Sequence, residues 1–432
     1  MRNRLLLQYN NKPLGELILS LMKKRWLVLL ASIVVNICIG TGFAWSVYQA
    51  GLLNESEAIF GMKATKAQLS LAFTIFSGVA PICMIAGEPL QKKLGGPRGV
   101  IYIGGIIFGL GLILSGFTNS LLSLYITYGV LGGLGAALVY GVTMGNTIKF
   151  FPEKRGLVAG ITASAYGSGS IIFPPIMKEL ISSYGTLSTF IILGILYMVL
   201  IFIAGYFIVA VPKGWTPEGY ENKTTTITVE DKNWKQMLKD YKFYIMFLVF
   251  TIFATAGLML ISQCFQMVES FGKIGIAALI VSVVAIGNTL GRLIWGFISD
   301  KIGRNQALIL MSALIFVAGI SLCFVIGANI FLLFIILTVL IAMCYGGSMG
   351  VYPSLTSHRY GLKNNGVNYG IMFTAFALGG FFGPMIANTV FTKTASYAIS
   401  LLIVGLLGLV SLILIVTLTV LDKKENKKTK LI

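Results

Sequence analysis

The sequence predicts an all-α polytopic membrane protein whose twelve transmembrane helices form two six-helix pseudo-repeats. Three observations carry the prediction: low charge content, the length of the apolar runs, and glycines and prolines that recur half a chain later.

Of the 432 residues, 56% are hydrophobic and 11% charged, and the mean hydropathy is +0.87. A soluble domain carries about a quarter charged residues, so most of this chain must face lipid or other buried helices. Apolar runs of about 18 residues or more recur from Trp26 almost to the end, each enough to cross a hydrocarbon core roughly 30 Å thick. Strands of a membrane barrel would alternate polar and apolar residues over about ten positions. These runs are longer and apolar throughout, hence helical. The predicted spans are 26–48, 67–90, 99–117, 120–148, 157–177, 187–211, 243–268, 274–298, 305–327, 330–356, 367–390 and 396–421. Only Thr118-Asn119 separates the third from the fourth, as in a tight helical hairpin.

The net charge is +18, but its distribution points away from nucleic acid. With the N-terminus taken as cytoplasmic, five of the 33 Lys and Arg fall in outer loops (Lys63, Lys66, Lys178, Lys273, Lys393). Arg292 falls inside a helix, and the other 27 are cytoplasmic. That asymmetry is the positive-inside pattern; it predicts cytoplasmic N- and C-termini for a multi-pass protein of the cell membrane. The basic tail from Lys423 to Lys430 reads as a topology anchor near anionic lipid, so the bilayer is an expected partner. No small-residue cleavage pattern follows a short apolar stretch at the N-terminus, and no removable signal peptide is expected. The five cysteines (Cys38, Cys83, Cys264, Cys323, Cys344) lie in apolar runs without metal-like spacing and read as small hydrophobes. With one histidine, His358, and no nucleophile–base pairing, neither a metal, a cofactor nor an enzymatic activity is expected.

The chain divides into a cytoplasmic N-terminal segment (1–25), a six-helix bundle (26–211), a polar cytoplasmic linker (212–242), a second bundle (243–421) and the basic tail (422–432). Within the linker, Asn233 to Tyr241 reads as a short amphipathic helix on the membrane surface. Gly156, Gly160, Gly169 and Pro174 recur as Gly366, Gly370, Gly379 and Pro384, each 210 residues later. Two parallel repeats around a midplane cavity are the plan of many secondary transporters. Gly129, Gly132, Gly133 and Gly135, with Gly346, Gly347 and Gly350, are expected to let the halves rock, because small residues allow close helix approach in lipid.

One full charge lies well inside a span. Arg292 follows eighteen mostly apolar residues and sits roughly 10 Å from the predicted inner end of its helix. An Arg there costs at least about 2.5–3.5 kcal/mol, and such residues usually face a polar cavity. Its planar fork matches a carboxylate, so an anion-binding centre is the expectation; the alternative is an Arg292 that reaches down to lipid phosphates or to Asp300. No acid is available in the helical interior to neutralise it, since Glu88, Glu179 and Glu269 all lie near span ends. Asn288 sits one turn before it on the same face.

The segment Gly296-Phe297-Ile298-Ser299-Asp300-Lys301-Ile302-Gly303-Arg304 resembles the loop signature of the major facilitator superfamily. Its counterpart after the second span is degenerate, with Gln91 where an Asp is expected. Within the superfamily the chain resembles the oxalate/formate antiporter family, related to monocarboxylate transporters. The matching pieces are Ala44-Trp45-Ser46-Val47-Tyr48, Lys149 through Gly156, Pro212-Lys213-Gly214-Trp215, Asn288 through Arg292, and Asn368-Tyr369-Gly370.

The resemblance implies the major facilitator fold and a substrate-binding role for Arg292. It implies that Asn288 stands where proton-coupled monocarboxylate carriers hold an Asp, and that Phe376 stands where the oxalate carrier has a second cation, a Lys. Aromatic side chains expected to shape the cavity are Trp45, Tyr48, Tyr140, Tyr166, Tyr345 and Tyr369, with Gln263 a weaker candidate. Asp300, Arg304, Arg98 and Gly296 are expected to act on the conformational cycle. The expected partner is a small carboxylate, and exchange or facilitated diffusion is favoured over proton symport, although a proton can travel on the substrate itself. The chain is expected to work as a monomer. Competing readings are a dicarboxylate exchanger of the oxalate/formate type, a drug or sugar carrier, and a non-transporting anion sensor. The Gly-Pro pattern of drug exporters is missing from Tyr166 to Pro174.

Overall fold

A computed structural model describes residues 14–212 and 231–429. The expected N-terminal segment up to residue 13, the Pro-Lys-Gly-Trp linker start beyond Pro212 with the Thr-rich piece up to residue 230, and the last three residues lie outside the described residues.

Among the described residues, eleven helices are long and apolar enough to cross a membrane, and one of them counts twice. We number the spans in chain order: span 1 Lys24–Asn54, span 2 Lys66–Lys93, span 3 Pro97–Ser115 and span 4 Leu121–Phe150. Spans 5 and 6 are the two arms of Arg155–Tyr206, 52 residues long, which at 1.5 Å per residue is more than twice a hydrocarbon core. The chain reverses at Gly185, whose φ of 80° is a left-handed value that favours glycine. Span 7 is Tyr241–Ser270, span 8 Ile274–Ile302, span 9 Arg304–Gly327, span 10 Phe331–Tyr360, span 11 Asn365–Thr394 and span 12 Tyr397–Glu425. This is a multi-pass, all-α membrane protein, with twelve crossings as the apolar runs predict. Several helices outrun the predicted ends. Span 8 continues from 298 to Ile302 and the last helix to Thr429, because polar residues at a span end keep their backbone hydrogen bonds.

The repeat is spatial as well as sequential. A Cβ on Gly169 would sit 2.5 Å from the Ile37 carbonyl oxygen of span 1, and one on Gly379 2.3 Å from Ala254 Cβ of span 7. Span 5 thus lies on span 1 as span 11 lies on span 7. Between the bundles, Gly156 and Gly296 meet backbone to backbone: a Cβ on either would fall 2.3 Å from the other's carbonyl oxygen. In the second half a Cβ on Gly370 would lie 2.8 Å from the Ile85 amide nitrogen of span 2. The glycines expected to let the halves rock are mostly elsewhere. Gly129, Gly132, Gly133 and Gly135 pack against spans 2 and 3 in their own bundle, and Gly346 and Gly347 against span 8 in theirs. Of that set Gly350 reaches the bundle interface, where Gly160 faces it.

The linker ends in a short helix, Trp234–Lys239, started by a capping box between Asn233 and Gln236. It is held against the turn between spans 10 and 11. The Lys232 amide donates to the Tyr360 carbonyl (3.1 Å), and the Lys232 carbonyl accepts from Asn368 Nδ2 (3.0 Å).

Candidate functional site

Arg292 lies ten residues before the end of its helix at Ile302, about 15 Å along the axis. A Cβ on Gly160 of span 5 or Gly350 of span 10 would come to 2.3 Å from the Arg292 carbonyl oxygen. Three helices therefore close on this point with no side chain between them. The Arg292 side chain crosses to the other bundle, where Nη1 donates to the Ala163 carbonyl at 2.7 Å, while Nη2 donates to Asn288 Oδ1 at 3.2 Å. Ser164 Oγ donates across the same seam to the Thr289 carbonyl at 2.8 Å. Gly167 leaves room for the guanidinium, since a Cβ there would lie 3.2 Å from Arg292 Cζ.

Among the described residues no carboxylate pairs with Arg292, and Asp300 is engaged elsewhere. Arg292 Nε and Asn288 Nδ2 are buried without a hydrogen-bond partner. Leaving a buried donor unpaired costs about 1–3 kcal/mol, so the pair is poised for an acceptor.

Aromatic rings surround this centre. Tyr140 stacks on Tyr166 at 4.5 Å, and Phe43 meets Tyr166 edge-on at 5.1 Å. On span 11, Phe373 lies 5.0 Å from Phe376 and 5.8 Å from Tyr369, and Phe376 runs parallel to Tyr345 at 6.5 Å. Tyr369 Oη neighbours the Tyr140 phenol but has no hydrogen bond of ordinary length. Between the bundles lies a small open-mouthed cavity walled by Phe43, Phe76, Ser77, Met84, Tyr140, Tyr166, Phe373 and Phe376 among others. Arg292 is not in its wall.

Three expected cavity residues are not brought to this centre. Trp45 and Tyr48 are buried in an aromatic cluster of the first bundle, Trp45 4.3 Å from Tyr128 and Tyr48 stacked on Phe190 at 3.8 Å. Gln263 donates to Asn388 Oδ1, tying span 7 to span 11. Phe43, Phe373 and the Ala163 carbonyl take their place.

The inter-bundle contacts continue from Arg292 to the end that carries Asp300. Asp300 accepts from the Gly156 and Leu157 amides at 2.9 and 2.8 Å, capping span 5 from the opposite bundle, and pairs with Arg304 at 3.3 Å. Arg304 also donates from Nε to Ser354 Oγ at 2.9 Å. The symmetry-related cap comes from Glu88, buried at the end of span 2. Its Oε2 accepts from the Val367 amide in the first turn of span 11 at 3.1 Å, and its Oε1 lies 3.5 Å from Lys92 Nζ. Both carboxylates meet the positive end of a helix through charge-assisted bonds. Arg98 does not join this seam: it donates to the Tyr206 carbonyl and covers the Tyr206 ring, both in its own bundle.

Asp300→Asn removes the charge from two amide bonds that exist only while the bundles are closed here. An Asn oxygen accepts more weakly, so turnover is expected to fall severalfold while substrate affinity stays within a few-fold. Initial rates over a range of substrate concentrations check this, and a selective loss of affinity at unchanged turnover would contradict it.

The sequence model of the Major Facilitator Superfamily matches residues 25–384 and 255–431. The chain is 29% identical to the uncharacterized MFS-type transporter YhjX of Escherichia coli (strain K12), over 83% of this chain and 86% of that one. It is 28% identical to the oxalate:formate antiporter of Oxalobacter formigenes, over 92% and 96%. Human monocarboxylate transporter 12 is 26% identical over 78% and 70%. In fold it is similar to the transporter FucP in an outward conformation, with a TM-score of 0.65 at 14% identity, covering 91% of this chain and 98% of that one. A similar likeness holds to the proton:xylose symporter XylE bound to 6-bromo-6-deoxy-D-glucose, with a TM-score of 0.64 at 15% identity over 91% and 95%. With the superfamily model spanning most of the chain and the fold agreeing, the chain belongs to the Major Facilitator Superfamily.

Proposed function

We propose that this chain is a secondary transporter of small organic anions that selects monocarboxylates of the pyruvate, lactate or formate type by alternating access around Arg292. The carrying observation is a guanidinium between two bundles that has no carboxylate partner among the described residues and stands beside buried donors that lack acceptors there. A substrate carboxylate supplies the missing acceptors and the counter-charge. Since Nη1 is bonded to span 5 and the rest of the residue to span 8, an anion there is sensed by both bundles. The positive-inside distribution supports cytoplasmic termini in the cell membrane, which makes the Asp300 end the cytoplasmic gate.

Selection for a single carboxylate rests on Phe376, whose ring lies between Phe373 and Tyr345. A second carboxylate at that place would lose its hydration and meet an aromatic face, a penalty of several kcal/mol. Purified protein in proteoliposomes is therefore expected to take up radiolabelled pyruvate or lactate with little inhibition by equal oxalate. Phe376→Lys is expected to weaken monocarboxylate uptake and raise inhibition by oxalate. Oxalate blocking wild-type uptake at equal concentration would favour the dicarboxylate exchanger, and binding without uptake would favour the sensor.

A further inference from the structure

The cavity between the bundles is small, with room for about one water, so any larger substrate needs a wall to move. At the Asp300 end the walls are pinned by the backbone contacts of Gly156 with Gly296 and of Gly160 with Arg292. Movement is left to the half away from Asp300, where the two bundles are built differently. In the second bundle spans 7, 8, 10 and 11 each run as one helix, and Pro353 and Pro384 remove a single bond apiece without ending it. In the first, three cavity-lining spans are interrupted: span 1 by a 3₁₀ turn at Gly40–Ala44, span 2 between Gly78 and Ala80, and span 4 by a π-helical stretch at Tyr125–Gly132. Such interruptions inside a helix mark hinges and functional sites. Gly40 and Gly42 weaken the helix in span 1, Pro81 has no N–H for the Ser77 carbonyl in span 2, and Gly129 and Gly132 lie inside the span 4 stretch.

The three interruptions meet at Phe76. A Cβ on Gly42 would lie 2.3 Å from its ring, one on Gly132 3.5 Å from its ring, and one on Gly133 2.6 Å from its carbonyl oxygen. The same ring stacks on Tyr128 at 5.3 Å, and Tyr128 Oη donates to the Gly42 carbonyl at 2.9 Å. Beyond Phe76 the outer pieces are fastened to one another. Gln49 Nε2 of span 1 donates to the Lys66 carbonyl at 2.9 Å and to Ser70 Oγ at 2.7 Å, and Tyr125 Oη of span 4 donates to the Gln68 carbonyl at 2.9 Å. Against span 6 they rest on the flat Tyr48–Phe190 stack and on Glu55, which accepts from Thr186 Oγ1 at 2.7 Å. From this arrangement we infer that the first bundle is hinged at Phe76: the outer pieces of spans 1, 2 and 4 swing as one unit to widen or shut the cavity, while the second bundle keeps its shape. Phe76 also lines the cavity, so it is a positioning residue through which a bound substrate acts on the joint. The hinge goes beyond the carboxylate reading and does not depend on which cargo the site takes.

The test is the distance between paired spin labels in the full-length protein, in a background freed of its native cysteines. Lys63→Cys marks the hinged unit and Lys178→Cys the far end of span 5 in the same bundle; Lys273→Cys and Lys393→Cys form the control pair in the second bundle, and all four positions are exposed. Gly160→Leu drives the change of state, because its side chain wedges the seam at the Arg292 carbonyl oxygen. The expected result is a shift of at least about 2 Å in the first pair on introducing Gly160→Leu, with the control pair unmoved. A constant first pair while a Lys63→Cys to Lys273→Cys distance across the bundles changes overturns the inference in favour of rigid rocking, and equal shifts in both pairs overturn it too. Pro81→Ala supplies a second readout that needs no wedge and decides alone where Gly160→Leu moves no pair. It restores the bond to Ser77 and is expected to narrow the distance distribution of the first pair. An unchanged distribution overturns the hinge at Phe76. The carboxylate reading is tested separately, by uptake, and stands or falls without it.

Discussion

Arg292→Ala is expected to reduce carboxylate uptake to the level of empty vesicles while the protein still inserts and purifies normally. The substitution removes the charge that the anion would pair with, an effect of about 2–5 kcal/mol for a desolvated charge pair, or roughly thirtyfold to several thousandfold. It also frees the Ala163 carbonyl, to which Nη1 donates at 2.7 Å, so the bundles lose a tie at the same moment. Arg292→Lys keeps the charge and is still expected to fail. An ammonium on a flexible stem cannot hold Ala163 and Asn288 together while presenting a third donor. Uptake rates normalised to the reconstituted protein decide the matter. Near wild-type transport by Arg292→Ala would refute the anion centre outright.

Gly160→Leu is expected to be almost as damaging by a different route. Its Cβ would enter the 2.3 Å gap before the Arg292 carbonyl oxygen and lie 3.1 Å from Leu293 Cα. These are backbone atoms that cannot swing aside. Spans 5 and 8 would be wedged apart at the Asp300 end, with an overpacking cost of about 1–3 kcal/mol or more. That shifts the closed-to-open ratio about five- to 150-fold, and the carrier stalls. A cysteine placed on the seam should become more reactive toward an impermeant thiol reagent from the Asp300 side. Normal turnover, or lost turnover without a change in that reactivity, would argue against closure through the glycine seam.

The parts legible in the sequence are those written in residue type at a fixed spacing. Apolar runs announce helices because lipid leaves no other way to satisfy the backbone, and Arg292 stands out because nothing around it is charged. Of the glycines 210 residues apart, Gly156, Gly160, Gly366 and Gly370 mark the seam, because only a missing side chain permits such contacts. What failed were inferences about direction. Trp45 and Tyr48 belong to a matched motif, yet a ring in an apolar helix faces lipid, core or cavity without any change in composition; here Trp45 faces Tyr128 and Tyr48 faces Phe190. Arg98 shares with Arg304 the expectation of a role in the conformational cycle, but it bonds within its own bundle. The Ala163 carbonyl leaves no trace in a residue string, since every residue has one. Phe43 and Phe373 were hidden among 28 phenylalanines.

The carboxylate near the end of span 2 keeps in space what the loop signature lacks in sequence. Read as a string, the first-half loop has lost its acid, with Gln91 in the expected place. In three dimensions the amide of Val367 is still met, by Glu88, three residues and roughly one turn earlier. A longer side chain set back along the helix reaches the same target. Surveys that score loops letter by letter would count this half as inactive. The same helix end can therefore be capped from either of two positions one turn apart on the helix that faces it.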